Sequence, residues 1–479
     1  MKNGKNNNIS YHKMFYIFSC NQIMIIMLQQ FINRKYELKF LNDKYNENKK
    51  ELIIIYGRRR IGKTMLIKKF VENKKYIYHL CTLDSMDENL SSLKNKFAEI
   101  TGKDYFNDLK SNFYELFKYF INEIKSDKVI IVLDEFPNLI ELNHGIVSIM
   151  QKIFDELMDN TMLYIILSGS SIGMMEDELL SYKSPLYGRR TGSLEINGFD
   201  INNIKYFYNS NIDDLIKINA VFGNIPFYLS LIDKNKSIEE NIKHKILKKG
   251  EILYEEPKIL LKEEFKEPRI YEMILRHISL GHNTYGEIVN GTHMDRGNIS
   301  KYLETLVSVK LINYILPLNQ KRRGIYEIND YFLNFYYNFV YPNLSDLEIN
   351  RVNDVMEIIS RDINTYYGHA FERIIIDMIR NNIIELPFKP LYVNRFWHKE
   401  VEIDAIAAND ETKEMAFIEC KFKDNIDGTR IFNDLKYKSL KVDYNRNKEY
   451  YIIIAKSFKT KSDGAINIDF NALKNLVIA

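Results

Sequence analysis

Residues 51–70 read Glu51-Leu-Ile-Ile-Ile-Tyr-Gly-Arg-Arg-Arg-Ile-Gly-Lys-Thr-Met-Leu-Ile-Lys-Lys-Phe70, and the order of residue types in this stretch governs how the remaining sequence is read. Residues 52–56 are a short apolar run, rich in β-branched side chains, of the kind that fills a buried parallel strand; Met65, Leu66 and Phe70 are spaced for a helix packed behind it. Between them lies G-x-x-x-x-G-K-T, from Gly57 to Thr64. Gly57 and Gly62 let the backbone turn tightly enough to aim successive N–H groups at phosphate oxygens, and a helix starting near Lys63 adds the positive end of its dipole. Lys63 is placed to reach β- and γ-phosphates, and the Thr64 hydroxyl to be a Mg²⁺ ligand. Gly57, Arg58, Arg59, Arg60, Ile61, Gly62, Lys63 and Thr64 are therefore the candidate ATP site. Whether the three arginines face nucleotide, a partner or acidic neighbours stays open.

A length of 479 residues exceeds one ordinary core and points to two or three domains. Hydrophobic content of 46% with 27% charged residues describes a soluble globular protein. A formal charge of +3 nearly cancels over this length, so any nucleic-acid binding must come from local patches. Cys20, Cys81 and Cys420 are too widely separated for a disulfide framework or a metal cluster, which fits a reducing cytoplasm. Residues 14–31 are rich in Ile, Met and Phe, yet Ser19, Asn21, Gln22, Gln29 and Gln30 interrupt them, so no membrane span is expected. Met24 and Met27 suggest a later start, and this leading segment is expected to be dispensable.

After the phosphate loop, residues 76–81 read as a strand and residues 90–125 as one or two amphipathic helices. Next comes Val129-Ile-Ile-Val-Leu-Asp-Glu, an apolar strand ending in two acids about 70 residues after the loop, within the span of a few βα units. Asp134, at the carboxyl end of a buried strand, is a candidate to hold Mg²⁺ through its water shell, and Glu135 to orient or deprotonate the attacking water. A further strand over residues 162–167 ends in Ser168-Gly-Ser-Ser, hydroxyls that read either as a γ-phosphate sensor or as an ordinary turn. Arg189 and Arg190 follow a Pro/Gly punctuation and read equally as an arginine finger or as surface ion pairs.

The motifs Gly-Arg-Arg-Arg-Ile-Gly-Lys-Thr, Leu-Asp-Glu-Phe-Pro, Leu-Ser-Gly-Ser-Ser, Leu-Tyr-Gly-Arg-Arg-Thr-Gly and, less specifically, Gly223-Asn-Ile-Pro together resemble the archaeal ATPase family of the AAA/STAND type. The resemblance runs from about residue 31 onward. It implies a P-loop ATPase domain, a helical segment, a winged helix and a restriction-endonuclease-like domain. Asn224 stands where relatives commonly have a second glycine, which touches nothing catalytic.

The middle region reads as a winged helix on its own residues. Residues 284–289 and 298–309 are helical, the second with Ile299, Tyr302, Leu303, Leu306 and Val307 on one face, and strands over 311–316 and 324–328 flank a tip bearing Lys321, Arg322 and Arg323. A basic wing of this kind grips phosphate. Against DNA contact, Lys301 on the second helix is balanced by Glu304, so packing against protein stays open.

Further on, residues 366–380 read as a helix carrying Glu372 on its edge. Val401-Glu-Ile-Asp-Ala-Ile-Ala and Met415-Ala-Phe-Ile-Glu-Cys-Lys-Phe read as two strands joined by the turn at residues 409–412. Strand alternation puts Glu402 with Asp404 on one face and Glu419 with Lys421 on one face, so suitable pairing converges Asp404, Glu419 and Lys421. Two carboxylates holding Mg²⁺ beside a lysine is a layout for phosphodiester hydrolysis, with Lys421 steadying the developing charge. It resembles the PD-(D/E)xK nuclease signature, with Glu372 as the helical carboxylate; a solvated sheet face gives the same alternation.

The expected fold is α/β: a P-loop NTPase parallel-sheet domain over residues 31–200, a helical lid-like segment over 201–260, a winged helix over 261–345 and an α/β restriction-endonuclease-like domain over 346–479. The expected activity is Mg²⁺-dependent ATP hydrolysis coupled to DNA, the rival being a nucleotide-controlled protein-interaction platform without nuclease activity. Self-association, as a homo-oligomer, stays open.

Overall fold

The computed structural model describes residues 31–124, 127–208, 210–318, 320, 322–398 and 400–478. The expectations for residues 1–30, with Cys20, Met24 and Met27, and for Lys321 lie outside the described residues. The chain divides into two compact units, one ending at Asn197 and the other beginning at Gly198. Among the described residues no helix is long and apolar enough to cross a membrane.

The first unit is a parallel sheet of five strands, β1 (Glu51–Tyr56), β2 (Tyr76–Leu80), β3 (Ile130–Asp134), β4 (Tyr164–Gly169) and β5 (Gly192–Glu195), in the order β2-β3-β4-β1-β5. Strands inside this order are buried along almost their whole length, whereas the edge strand β2 alternates, with Ile77 and His79 inward and Tyr76 and Leu80 exposed. Covering helices explain the difference: a strand hidden on both faces needs a continuous apolar run, and an edge strand does not. Helices α1 (Lys35–Asn46), α2 (Lys63–Val71), α3 (Met86–Thr101) and α4 (Phe113–Ile124) supply much of that cover.

The region expected to hold one or two helices contains α3 and α4, separated by the short helical turn Tyr105–Asp108. Ser85 starts α3 by accepting a hydrogen bond from the Glu88 amide at 3.1 Å. The two helices meet through aromatic rings. Phe97 stacks on Phe120 at 4.0 Å between centroids and meets Phe106 and Phe117 edge-on at 6.0 and 5.6 Å.

The second unit opens with helices, among them α5 (Ile212–Phe222) and α6 (Ile252–Glu264). Three more, α7 (Pro268–Ser279), α8 (Tyr285–Thr292) and α9 (Arg296–Ser308), lead into an antiparallel ribbon of β6 (Ile312–Ile315) and β7 (Ile325–Ile328). A reciprocal cap between Thr284 and Glu287 starts α8. Ile299, Leu303 and Leu306 bury one stripe of α9, but Val307, grouped with them by spacing, is 37% exposed because it has rotated past the stripe's edge.

The chain then enters a helix, α10 (Val352–Arg380), that begins well before residue 366 because Val355 and Ile359 continue its buried side. It leads to a mixed sheet of β8 (Tyr392–His398), β9 (Val401–Asn409), β10 (Glu414–Lys421), β11 (Lys448–Ala455) and β12 (Ile466–Ile468), ordered β12-β11-β10-β9-β8, with α11 (Gly428–Ser439) between β10 and β11 in sequence. The β9–β10 pair is an antiparallel hairpin with Met415 opposite Ala408, Phe417 opposite Ile406 and Ile418 opposite Ala405. One step further along that register, Asp404 faces Glu419.

The ring cluster between α3 and α4 yields a test. Phe97→Ala empties a fully buried site and should lower the unfolding free energy of the first unit by about 3–5 kcal/mol in urea melts. A loss below about 1 kcal/mol would mean that the stack contributes little to the core.

Candidate functional site

The parallel sheet gathers polar groups at the carboxyl ends of its strands. At β1 the chain leaves through Gly57, whose φ of +149° suits glycine and whose added Cβ would lie 2.3 Å from the Ile196 carbonyl oxygen. Gly62, at φ +95°, then releases the loop into α2. The buried Lys63 ammonium donates to the carbonyls of Gly57 at 2.8 Å and Arg58 at 3.1 Å, so it lies along the inside of the loop. Arg34, which sequence reasoning missed, supports the loop from outside by donating to the Ile61 carbonyl at 3.2 Å and the Asn197 carbonyl at 2.7 Å. Nothing in its local sequence signals that role. Arg60 adopts a left-handed backbone, φ +67°.

One hydrogen bond joins α2 to β3: the Thr64 hydroxyl donates to Asp134 Oδ2 at 2.9 Å. Tyr78, on the neighbouring β2, donates to the same oxygen, and burial followed by the Asp134 charge pushes its phenol well above the usual range. Tyr78 was also missed, since a tyrosine in an alternating edge strand reads as ordinary packing. Glu135 has a left-handed backbone, φ +53°, unusual outside glycine, and its carboxylate accepts from the Ser170 amide at 3.1 Å and hydroxyl at 2.8 Å. Of the serines ending β4, Ser170 is thus the one that meets Glu135. Ser168 is fully buried, and its hydroxyl has no partner among the described residues.

Arg189 and Arg190 are engaged away from the loop. The first pairs with both oxygens of Asp155, at 2.7 and 3.0 Å, and the second donates to the Leu180 carbonyl at 2.9 Å.

The second polar centre lies on the β9–β10 hairpin. Asp404 Oδ2 accepts from the Cys420 amide at 2.7 Å and lies 3.4 Å from the Lys421 ammonium, which is 2.7 Å from Glu419 Oε1. Lys438 reaches the same oxygen from α11 at 3.6 Å. It too was missed, although Leu435 and Ser439 mark the buried side of its helix. Glu402, by contrast, is exposed and pairs with Arg395.

Burial, then the neighbouring Asp404 charge, push Glu372 up to about 8 and raise Glu419 as well. Burial disfavours the charged form of Lys421, but Asp404 and Glu419 outweigh it and hold the ammonium well above its usual range. Burial also raises the Cys420 thiol, which points into the apolar side. Glu419 Oε2 is buried without a hydrogen-bond partner, the kind of oxygen a hard cation satisfies. Among the described residues no group of three or more His, Cys, Asp or Glu side chains is arranged for a metal ion, so any such ion here rests on two carboxylates and water.

Residues 31–230 match a family described as an ATPase domain predominantly from Archaea, and residues 336–440 match one described as archaeal and bacterial proteins of unknown function. The uncharacterized protein MJECL04 of Methanocaldococcus jannaschii is 37% identical over 451 residues, covering 91% of this chain and 97% of that protein. Among solved structures, the Walker-type ATPase PABY2304 of Pyrococcus abyssi is 22% identical with a TM-score of 0.49, covering 65% of this chain and 97% of that one. The Aeropyrum pernix ORC2 protein is 12% identical with a TM-score of 0.42, covering 68% of this chain and 95% of that one. On the near full-length match to MJECL04, the chain belongs to that protein's family, with an archaeal P-loop ATPase domain followed by a C-terminal domain of unknown function.

Proposed function

We propose that the protein hydrolyses ATP with Mg²⁺ at the loop of residues 57–64 and acts on DNA through its second unit. The observation that carries the ATPase reading is the 2.9 Å hydrogen bond between Thr64 and Asp134, which pairs the two oxygen ligands such a centre needs. Thr64 and Asp134 would hold Mg²⁺, which supplies charge neutralisation on the β- and γ-phosphates. Lys63 and the loop amides bind and orient the phosphates. Glu135 orients the attacking water and takes its proton, and Ser170 holds the carboxylate when it is turned aside. Arg189 or Arg190 serves as an arginine finger only after leaving the partners described above.

For the second unit, α7 to α9 with the β6–β7 ribbon support a winged-helix reading, Arg322 and Arg323 being exposed at the ribbon tip. The meeting of Asp404, Glu419 and Lys421 supports a nuclease reading. Asp404 and Glu419 would hold Mg²⁺ or Mn²⁺, which supplies a polarised phosphoryl oxygen and a more acidic water. Lys421 steadies charge developing on the phosphate. The rival platform reading also has an observation behind it: Lys421 and Lys438 together already neutralise Glu419, as a purely structural ion-pair cluster requires.

Lys63→Ala should abolish tight ATP binding in calorimetry. Glu135→Gln should keep the affinity and cut phosphate release about 100-fold or more. Unchanged turnover in Glu135→Gln would remove Glu135 from the mechanism.

The second unit is tested by a metal-dependent nuclease assay, run with and without ATP. Asp404→Ala should lose cation binding and cleavage together, while Lys421→Ala should keep the cation and lose cleavage. No cleavage by wild type under Mg²⁺ or Mn²⁺ would leave the platform reading.

Replacing Arg322 and Arg323 by Ala should weaken binding to all DNA sequences alike and lower the salt slope by about 0.7–0.9 per lost phosphate contact. Affinity unmoved across several salt concentrations would return the ribbon to a protein-packing role.

A further inference from the structure

Within the second unit, a cavity of about 280 Å³ opens between the β6–β7 ribbon, α10 and the strands β8 and β9, with Asp404 and Glu372 in its wall. Neither nucleotide binding at the loop of the first unit nor phosphate contact at the ribbon tip uses it. Its size falls just below the range of small-ligand sites, about 300 to 1,000 Å³, so it suits one small molecule or one residue of a polymer.

The wall chemistry narrows the ligand. Glu327, Asp377 and Asp404 balance the three guanidinium groups of Arg373, Arg380 and Arg395, and Glu372, pushed up to about 8 by its burial, adds little charge at neutral pH, so an isolated anion gains little there. Two of those guanidinium groups are also engaged by carbonyls, Arg373 donating to that of Ile328 at 2.7 Å and Arg380 to that of Val393 at 2.8 Å; Arg395 pairs with Glu402, while its buried Nε has no hydrogen-bond partner among the described residues. An apolar ligand fits no better, because six asparagines line the same space.

Some of those amides serve each other, Asn313 donating to Asn329 Oδ1 at 3.0 Å and Asn338 to Asn334 Oδ1 at 3.3 Å. The side-chain amide of Asn283 and the NH₂ of Asn394 make no hydrogen bond within the chain among the described residues. A primary amide presents a coplanar acceptor and donors, which match the edge of a nucleobase, and Tyr326 adds a half-buried ring on which a base can stack.

We propose that this cavity takes a single nucleotide, its base held by the wall amides and its phosphate toward the Asp404 end. The inference rests on the DNA reading of the second unit and names its substrate: a strand with one nucleotide turned out of the stack at the carboxylate–lysine centre. The same chemistry would accept a free nucleotide, and the experiment separates the two sources.

Full-length protein is mixed, in Ca²⁺ to hold off cleavage, with a duplex carrying one 2-aminopurine and a terminal dye; dye anisotropy reports binding and 2-aminopurine emission reports unstacking. In a second arm, free 2-aminopurine riboside monophosphate is titrated into Lys63→Ala protein, so that the loop site does not contribute. The expected result is an emission rise on DNA binding. Asn394→Leu and Asn283→Leu, checked for an unchanged melting temperature, should each weaken it about tenfold, the worth of one lost amide pairing. Saturable binding of the free nucleotide without DNA binding, lost in the same variants, upholds the cavity while removing the DNA reading. Anisotropy changes with flat emission and no free-nucleotide binding overturn the cavity and leave the DNA reading standing. Silence in both arms, or variants that respond like wild type, also overturn it.

Discussion

The hydrogen bond from Thr64 to Asp134 is the constraint around which the first unit is built. It requires the first turn of α2 and the end of β3 to sit within one oxygen–oxygen contact, although β4 separates β1 from β3 in the sheet. Only a parallel sheet with its strand ends level achieves this, because every loop that carries chemistry then leaves from the same edge. The buried runs of β1, β3 and β4 hold that edge level. Tyr78 brings a second hydroxyl to the same carboxylate, from β2. The left-handed backbone at Glu135 follows from this arrangement, since the chain must leave Asp134 and turn at once to bring the next carboxylate beside Ser170.

The second polar centre rests on different physics. Its carboxylates stand on the faces of paired strands and are buried, so their charge is costly unless matched. Lys421 and Lys438 match it from a strand and a helix, and the Cys420 amide satisfies Asp404 through the backbone. A loop-built site can adjust by moving main chain. A strand-built site can adjust only by side-chain rotation, which makes its geometry stiffer and its electrostatics more dependent on near neighbours.

Much of this was legible in the residues. Apolar runs ending in Gly-Lys-Thr and in Asp-Glu carry both the parallel sheet and its loaded edge, because a doubly covered strand and a phosphate loop have strict compositional demands. Alternation over residues 401–407 and 415–421 was enough to assign faces. What escaped depended on long-range packing. Arg34 supports the phosphate loop across 27 residues of sequence, and Lys438 arrives on a helix whose rotation is set by the sheet beneath it. Val307 shows the same limit from the other side, since a position at the rim of an apolar stripe is placed by the neighbours it meets and not by spacing alone.

The β9–β10 register carries a consequence for how this family can vary over evolutionary time. Side chains on a strand alternate, so gaining or losing one residue inside β10 ahead of Glu419 would turn Glu419 and Lys421 to the opposite face and bring Cys420 round in their place, and the same change inside β9 between Asp404 and the turn would reverse Asp404. The connecting turn at residues 410–413 is free of that restriction, because extra residues there leave the ladder in step. Descendants of this chain can therefore lengthen or shorten the hairpin at its tip, while length changes within its strands are purged wherever the carboxylate–lysine centre is under selection.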